Sequence, residues 1–148
     1  MKSKVKAVKV SVQTTNDYLS DEILKELDNF TGTEQYHKIN ILSRVVATDG
    51  FKHFLNRCKC YWLSDIVCSV QYLPKIREYE NFIVWRIKKI EGREFEVCAF
   101  YDFDESLSEK DNQKKYLLYK QQIIYSDFPL KEYSFYQEGN VLLLKGEH

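Results

Sequence analysis

Little in this chain interrupts regular backbone: five glycines and two prolines in 148 residues are too few for collagen-like repeats or Pro/Gly-rich disordered tracts. Long apolar runs are missing as well, and no stretch approaches the roughly 18 apolar residues of a membrane-spanning helix. Neither sign of charge prevails. The 22 Lys+Arg balance 22 Asp+Glu, which weakens a nucleic-acid role, because phosphate binding needs concentrated positive charge that only a local stripe could supply here. No G-x-G-x-x-G or G-x-x-x-x-G-K phosphate cradle occurs, nor the G-x-S-x-G elbow of serine hydrolases. The first residues, Met1 to Val12, alternate lysine with small apolar residues and lack the continuous apolar segment of a secretory signal. With four cysteines, the expectation is a cytoplasmic protein whose thiols stay reduced.

Aromatic residues, by contrast, are plentiful: 11 Tyr, 9 Phe and 2 Trp. A chain of this size buries roughly two-thirds of its extended surface on folding, enough for one core. One domain over 15–148 is expected, preceded by a basic arm or edge strand over 1–14. Ile23, Leu24, Leu27 and Phe30 recur at helical spacing behind Asp21 and Glu22, and Asn16 or Ser20 suits the N-cap, which predicts a helix over about 17–30. Gln35–Leu42 and Arg44–Thr48 read as short strands. Thr48-Asp49-Gly50 is turn chemistry, and Thr48 or Asp49 can cap a helix running from Phe51 to about Cys58. A second helix, Tyr61–Tyr72, lines up Trp62 and Ile66 on one face and ends at Pro74.

The remainder alternates with period two. Ile83, Trp85 and Ile87 share one face of a strand over 82–90, and Phe95, Val97, Ala99 and Tyr101 share one face over 94–102. Glu91-Gly92 joins the two as a hairpin. Residues 103–114 are polar and read as a loop. Strands follow over 115–125, 131–136 and 141–145, with a corner at Ser126–Pro129 and a turn at Gly139. The fold class expected is α+β: N-terminal helices packed on one face of an antiparallel meander of about four to six strands.

Several strings recur in a fixed order over about residues 17–145. They are Gly32-Thr33-Glu34-Gln35-Tyr36, Thr48-Asp49-Gly50, Tyr61-Trp62-Leu63-Ser64-Asp65, Phe82-x-Val84-Trp85, and Gln121-x-Ile123-x-Tyr125-Ser126-Asp127-Phe128-Pro129-Leu130. Together they resemble an uncharacterised family of small proteins of bacteria, phages and mobile elements, known as a domain of unknown function. The resemblance implies a setting among accessory or inhibitor proteins and brings no activity with it. It marks Glu34, Gln35, Tyr36, Asp49, Gly50, Trp62, Asp65, Trp85, Gln121, Asp127, Phe128 and Pro129 as motif residues without an assigned role. The chain departs from the family pattern in its 1–14 arm. It departs again after Ala99, where Phe-Tyr-Asp-Phe-Asp-Glu and then a long charged insertion stand in place of the tight Asp-Gly-type turn of similar proteins.

Three constellations could carry chemistry. Cys58, Cys60, Cys68, Cys98, His37 and His53 are metal-ligand types, yet Cys58-x-Cys60 lacks the C-x₂₋₄-C spacing of a zinc turn. The thiols are read as small buried hydrophobes, and neither a metal nor another cofactor is assigned. A Cys58–His53 pair would need an oxyanion donor and an orienting group. Among the carboxylates Glu34, Asp49, Asp65, Asp102 and Asp127, local structure accounts least for Asp65. A small hydrolase with an Asp- or Cys-based site therefore stays open as an alternative. Tyr116, Tyr119, Tyr125, Tyr133 and Tyr136 crowd the last third, and counting rings against the room in one core leaves some outside as a contact zone. The leading expectation is a non-enzymatic module that binds another protein, with a homodimer through an edge strand as one form. A single-strand nucleic-acid platform flanked by Arg86, Lys88, Lys89 and the Lys2–Lys9 arm ranks behind it. No membrane association is expected.

Overall fold

The computed structural model describes residues 17–148. The expected 1–14 arm and the Asn16 cap lie outside the described residues. Helix α1 covers 17–28, and Ser20 lies inside it rather than capping it: its hydroxyl donates to the Pro129 carbonyl at 2.9 Å. The chain continues through β1 (Tyr36–Lys38), β2 (Val46–Thr48), α2 (Asp49–Arg57), α3 (Tyr61–Ser69), α4 (Pro74–Glu78), β3 (Ile83–Glu91) and β4 (Glu94–Phe100). It closes with α5 (Glu109–Tyr116), β5 (Leu117–Ile123), β6 (Glu132–Glu138), β7 (Val141–Leu143) and a final 3₁₀ turn, Lys145–Glu147.

Local chemistry sets the helix ends. Thr48 caps α2, its hydroxyl accepting the Phe51 N–H at 3.2 Å. Lys59, in the left-handed region at φ 52°, turns α2 into α3. Pro74 does not simply stop a helix. It occupies the first turn of α4, where its missing N–H costs nothing.

The fold is α+β, but the sheet is not the expected meander. Seven strands form one mixed sheet in the order β1-β2-β7-β6-β3-β4-β5. The β3–β4–β5 run is antiparallel and sequential. After β5 the chain crosses the turn end of the β3–β4 hairpin and returns as β6 on the far side of β3. Two backbone bonds fasten this strap: Ser126 N–H to Arg93 O at 2.9 Å and Lys89 N–H to Lys131 O at 2.8 Å. The β2–β7 pairing is parallel. It holds only two residue pairs, too few for any periodic signal in sequence.

Helices cover both faces of the sheet rather than one. On the first face Ile23 and Leu27 of α1, Phe51 and Phe54 of α2, Leu63 and Val67 of α3 and Ile76 of α4 pack on Trp85, Ile87, Val97 and Phe135. Fully burying each such side chain contributes about 1.5–3 kcal/mol. On the second face Val84, Cys98 and Phe100 form a smaller cluster with Phe82, Phe103, Tyr116, Leu117 and Tyr136. That cluster lies beside α5, which forms in the segment read as a loop. Ser108 caps it by accepting the Asp111 N–H, and Asn112 is buried inside it.

Candidate functional site

The sequence strings converge on two places. The first is polar and lies at the N-terminus of α2. Asp49, its first residue, accepts the Glu34 N–H at 2.9 Å through Oδ2 and pairs with His37 Nε2 at 2.8 Å through Oδ1. Its own N–H donates to Thr33 Oγ1 at 2.8 Å, and Thr33 Oγ1 donates to the Gln35 carbonyl at 2.6 Å. The His37 contact first, and the Glu34 N–H second, hold the Asp49 carboxyl below its ordinary range.

The C-terminal turn completes this node. Glu147 accepts the Thr48 hydroxyl at 2.6 Å, the Gly50 N–H at 3.1 Å and the Leu144 N–H at 3.0 Å. Glycine at 50 leaves room for this carboxylate, since a Cβ there would stand 2.5 Å from Glu147 Oε1 and push it away. Together the bonds of this node join the α1–β1 loop, the α2 N-terminus and the chain's end. It is a clasp, with Tyr36 exposed beside it on β1.

The second place is the strap after β5. Phe128 plugs the core, edge-on to Phe54 at 6.1 Å and to Phe95 at 5.7 Å. Pro129 presents its carbonyl to Ser20. Asp127 is exposed and borders two depressions. One, of about 540 Å³, is lined by Asp17, Ser20, Lys89, Arg93, Phe95 and Lys131 with the strap itself. The other, of about 450 Å³, is an apolar groove formed by Trp62 and Ile66 of α3, Ile123 of β5, and Tyr125, Ser126 and Asp127. Tyr125 is 68% exposed, and Arg93 Nη1 donates to its hydroxyl at 2.8 Å; Ile124 next to it is 87% exposed. Since β5 ends the sheet, its outer edge has no strand partner among the described residues.

The remaining singled-out residues are scattered. Trp85 is fully buried and donates its Nε1–H to Gln137 Oε1 at 3.0 Å, in an amide pair with Gln71. Gln121 accepts the Tyr119 hydroxyl at 2.7 Å. Asp65 is exposed on α3 and lines neither depression.

The five tyrosines do not come together. Tyr119 and Tyr133 pack against the main core, Tyr133 stacking on Phe54 at 4.7 Å. Tyr116 and Tyr136 pack into the cluster on the opposite face. Tyr125 alone of the five is exposed. Some tyrosines do stand outside, but others than expected: Tyr18, Tyr36, Tyr72 and Tyr79 are exposed with Tyr125 at separate points of the chain, while the second apolar cluster takes Tyr116 and Tyr136.

Other expected chemistry is also reassigned. His53 lies 3.4 Å from Glu26, which binds Arg57 at 2.8 Å, and so is not engaged with Cys58. Cys58, Cys60 and Cys98 are buried, Cys68 half-buried, and all four are free. The thiols of Cys60, Cys68 and Cys98 are pushed up, Cys60 chiefly by its contact with Cys58 and the other two by burial, the reverse of what a nucleophile needs. Arg86 is taken by Glu109, Glu132 and Ser134, and Lys88 stands 3.9 Å from Glu109, so neither is a free cation. No group of three His, Cys, Asp or Glu side chains is placed to hold a metal ion among the described residues. No helix there is long and apolar enough to cross a membrane.

Sequence reasoning missed Ile66 and Ile123 as groove residues, Arg93 as the partner of Tyr125, and Glu147 as the clasp. For Glu147 no local signal exists, since its partners Thr48 and Gly50 lie 99 and 97 positions away. Neither the curated proteins nor the solved structures contain a match to this chain. Residues 21–148, nearly the whole described fold with its clasp and strap, match the model of a family of unknown function, DUF6876, and the chain belongs to that family.

Proposed function

We propose that the protein is a binding module that takes an extended segment of another protein along the outer edge of β5, with side chains seated in the groove against α3. The apolar groove of about 450 Å³ beside that edge, which no strand among the described residues pairs with, carries this reading. An edge strand offers N–H and C=O groups to an incoming strand, and a trough alongside it accepts alternate side chains. Trp62, Tyr125 and Arg93 are the residue types that dominate interface energetics, and Ile124 extends the apolar surface. An adaptor or inhibitor that works by occupancy needs no further chemistry. Four free thiols suit a reducing compartment, so the partner is sought in the cytoplasm.

The test is a photo-crosslinking residue placed at Tyr125, with Tyr36 on the opposite edge strand, 63% exposed, as the control position. In extract of the source cells, position 125 gives a discrete adduct with another protein, position 36 does not, and Ile124→Asp suppresses the adduct. No adduct, the same products from both positions, or an adduct with a second copy of this chain overturns the reading.

A further inference from the structure

We propose that α5 and the loop before it form a hinged lid that opens as a unit, uncovering the outer face of β3 and β4 while the main core stays closed. The ends of this segment are aromatic anchors. Phe103 packs edge-on against Phe100 at 5.2 Å and lies under the Arg86 guanidinium, and Tyr116 meets Tyr101 at 5.4 Å. Between these two anchors no side chain joins either apolar cluster.

The middle is fastened to the sheet by polar contacts alone. Glu109 pairs with Arg86 and lies 3.9 Å from Lys88, while Gln113 binds Glu96. Internally the lid is braced. The Asn112 amide donates to the carbonyls of Asp104 and Ser108, both at 3.0 Å, and its oxygen accepts the Asp104 N–H at 2.8 Å. Asp104 in turn takes the hydroxyl of Ser106 at 2.6 Å. A segment stiff within itself and attached through groups that water can satisfy opens more readily than one attached through buried apolar area. Helices α1 to α4 are attached in the second way.

Cys98 reports the opening. It is 4% exposed under the lid, with Gln113 Nε2 3.8 Å from its sulfur, whereas Cys58 and Cys60 lie in the main core on the other face. The full-length protein is treated with N-ethylmaleimide at pH 8, and modification is followed at each cysteine by mass spectrometry. Cys98 reacts faster than Cys58 and Cys60. Glu109→Gln replaces an ion pair with Arg86 by a weaker bond from the guanidinium to a neutral amide, which speeds Cys98 about five- to tenfold and leaves Cys58 and Cys60 unchanged. Gln113→Ala, which touches no charge on Arg86, acts in the same direction. Modification of Cys98 in step with Cys58 and Cys60, or a Cys98 rate indifferent to both substitutions, overturns the proposal.

Discussion

Replacing Gly50 by alanine sets two effects of known sign against each other. Gly50 sits in the first turn of α2 without a positive φ, and alanine in a helix is favoured over glycine by about 0.5–1 kcal/mol. On propensity alone, Gly50→Ala stabilises. The clasp reverses this. The new Cβ would stand 2.5 Å from Glu147 Oε1, 2.7 Å from its Cδ and 2.9 Å from Leu144 Cδ1, so the carboxylate must leave. Its bonds to Thr48, Gly50 and Leu144 then go, together with its favourable place at the helix N-terminus. Hydrogen bonds to a charged group contribute about 1.5–3 kcal/mol, which exceeds the propensity gain. The net expectation is a loss of about 1–2 kcal/mol, or about 2–8 °C in Tm for a chain of this length.

A double-mutant cycle by urea unfolding separates the two effects. In a Glu147→Ala background the carboxylate is already gone, so Gly50→Ala changes sign and stabilises by about 0.5 kcal/mol. If Gly50→Ala stabilises the parent chain, or destabilises both backgrounds equally, the reasoning about Glu147 is wrong.

Asp49 supplies a pH test. Its folded carboxyl is held below the ordinary value of 3.8, by His37 first. The unfolded chain therefore protonates before the folded one, and the stabilisation is present above about pH 4 and lost as pH falls through the lowered folded value. The deficit of Asp49→Asn relative to the parent, read from urea curves, should be larger at pH 6 than at pH 3; a deficit independent of pH refutes a role for the charge. Gln137→Leu keeps the side-chain volume but leaves the Trp85 N–H, the Gln71 amide and the Gly139 carbonyl without this partner. It should cost about 1–3 kcal/mol, and a change under about 0.5 kcal/mol would show that the buried amide pair contributes nothing.

What could be read in advance was whatever repeats with a period over several turns or strand residues. Ile83, Trp85 and Ile87 announce their face of β3, Gly92 with φ 55° supplies the turn of the hairpin, and Thr48 caps as its residue type suggests. Pairings across the sheet were out of reach. β2 and β7 have three residues each, and nothing in three residues distinguishes a parallel neighbour from an antiparallel one. Helix α5 was hidden for a different reason. A helix laid on the polar side of a sheet buries Asn112, Glu109 and Gln113 instead of an apolar stripe, so its pattern is that of a solvated loop.

The strings singled out in the sequence carry framework more than contact. Asp49 and Gly50 close the clasp, Trp85 and Phe128 fill the core, and Pro129 holds the strap to α1. Each has a structural partner that accounts for its residue type, so none needs a ligand to explain it. The groove is built otherwise. Ile123 is the last residue of β5, Tyr125 follows it in the strap, and Ile66 stands one helical turn after Trp62. Tyr125 and Ile124 are exposed at positions where a polar residue would serve the fold equally well. Exposed apolar side chains next to an edge that no strand among the described residues completes are the features of this surface that packing leaves unexplained.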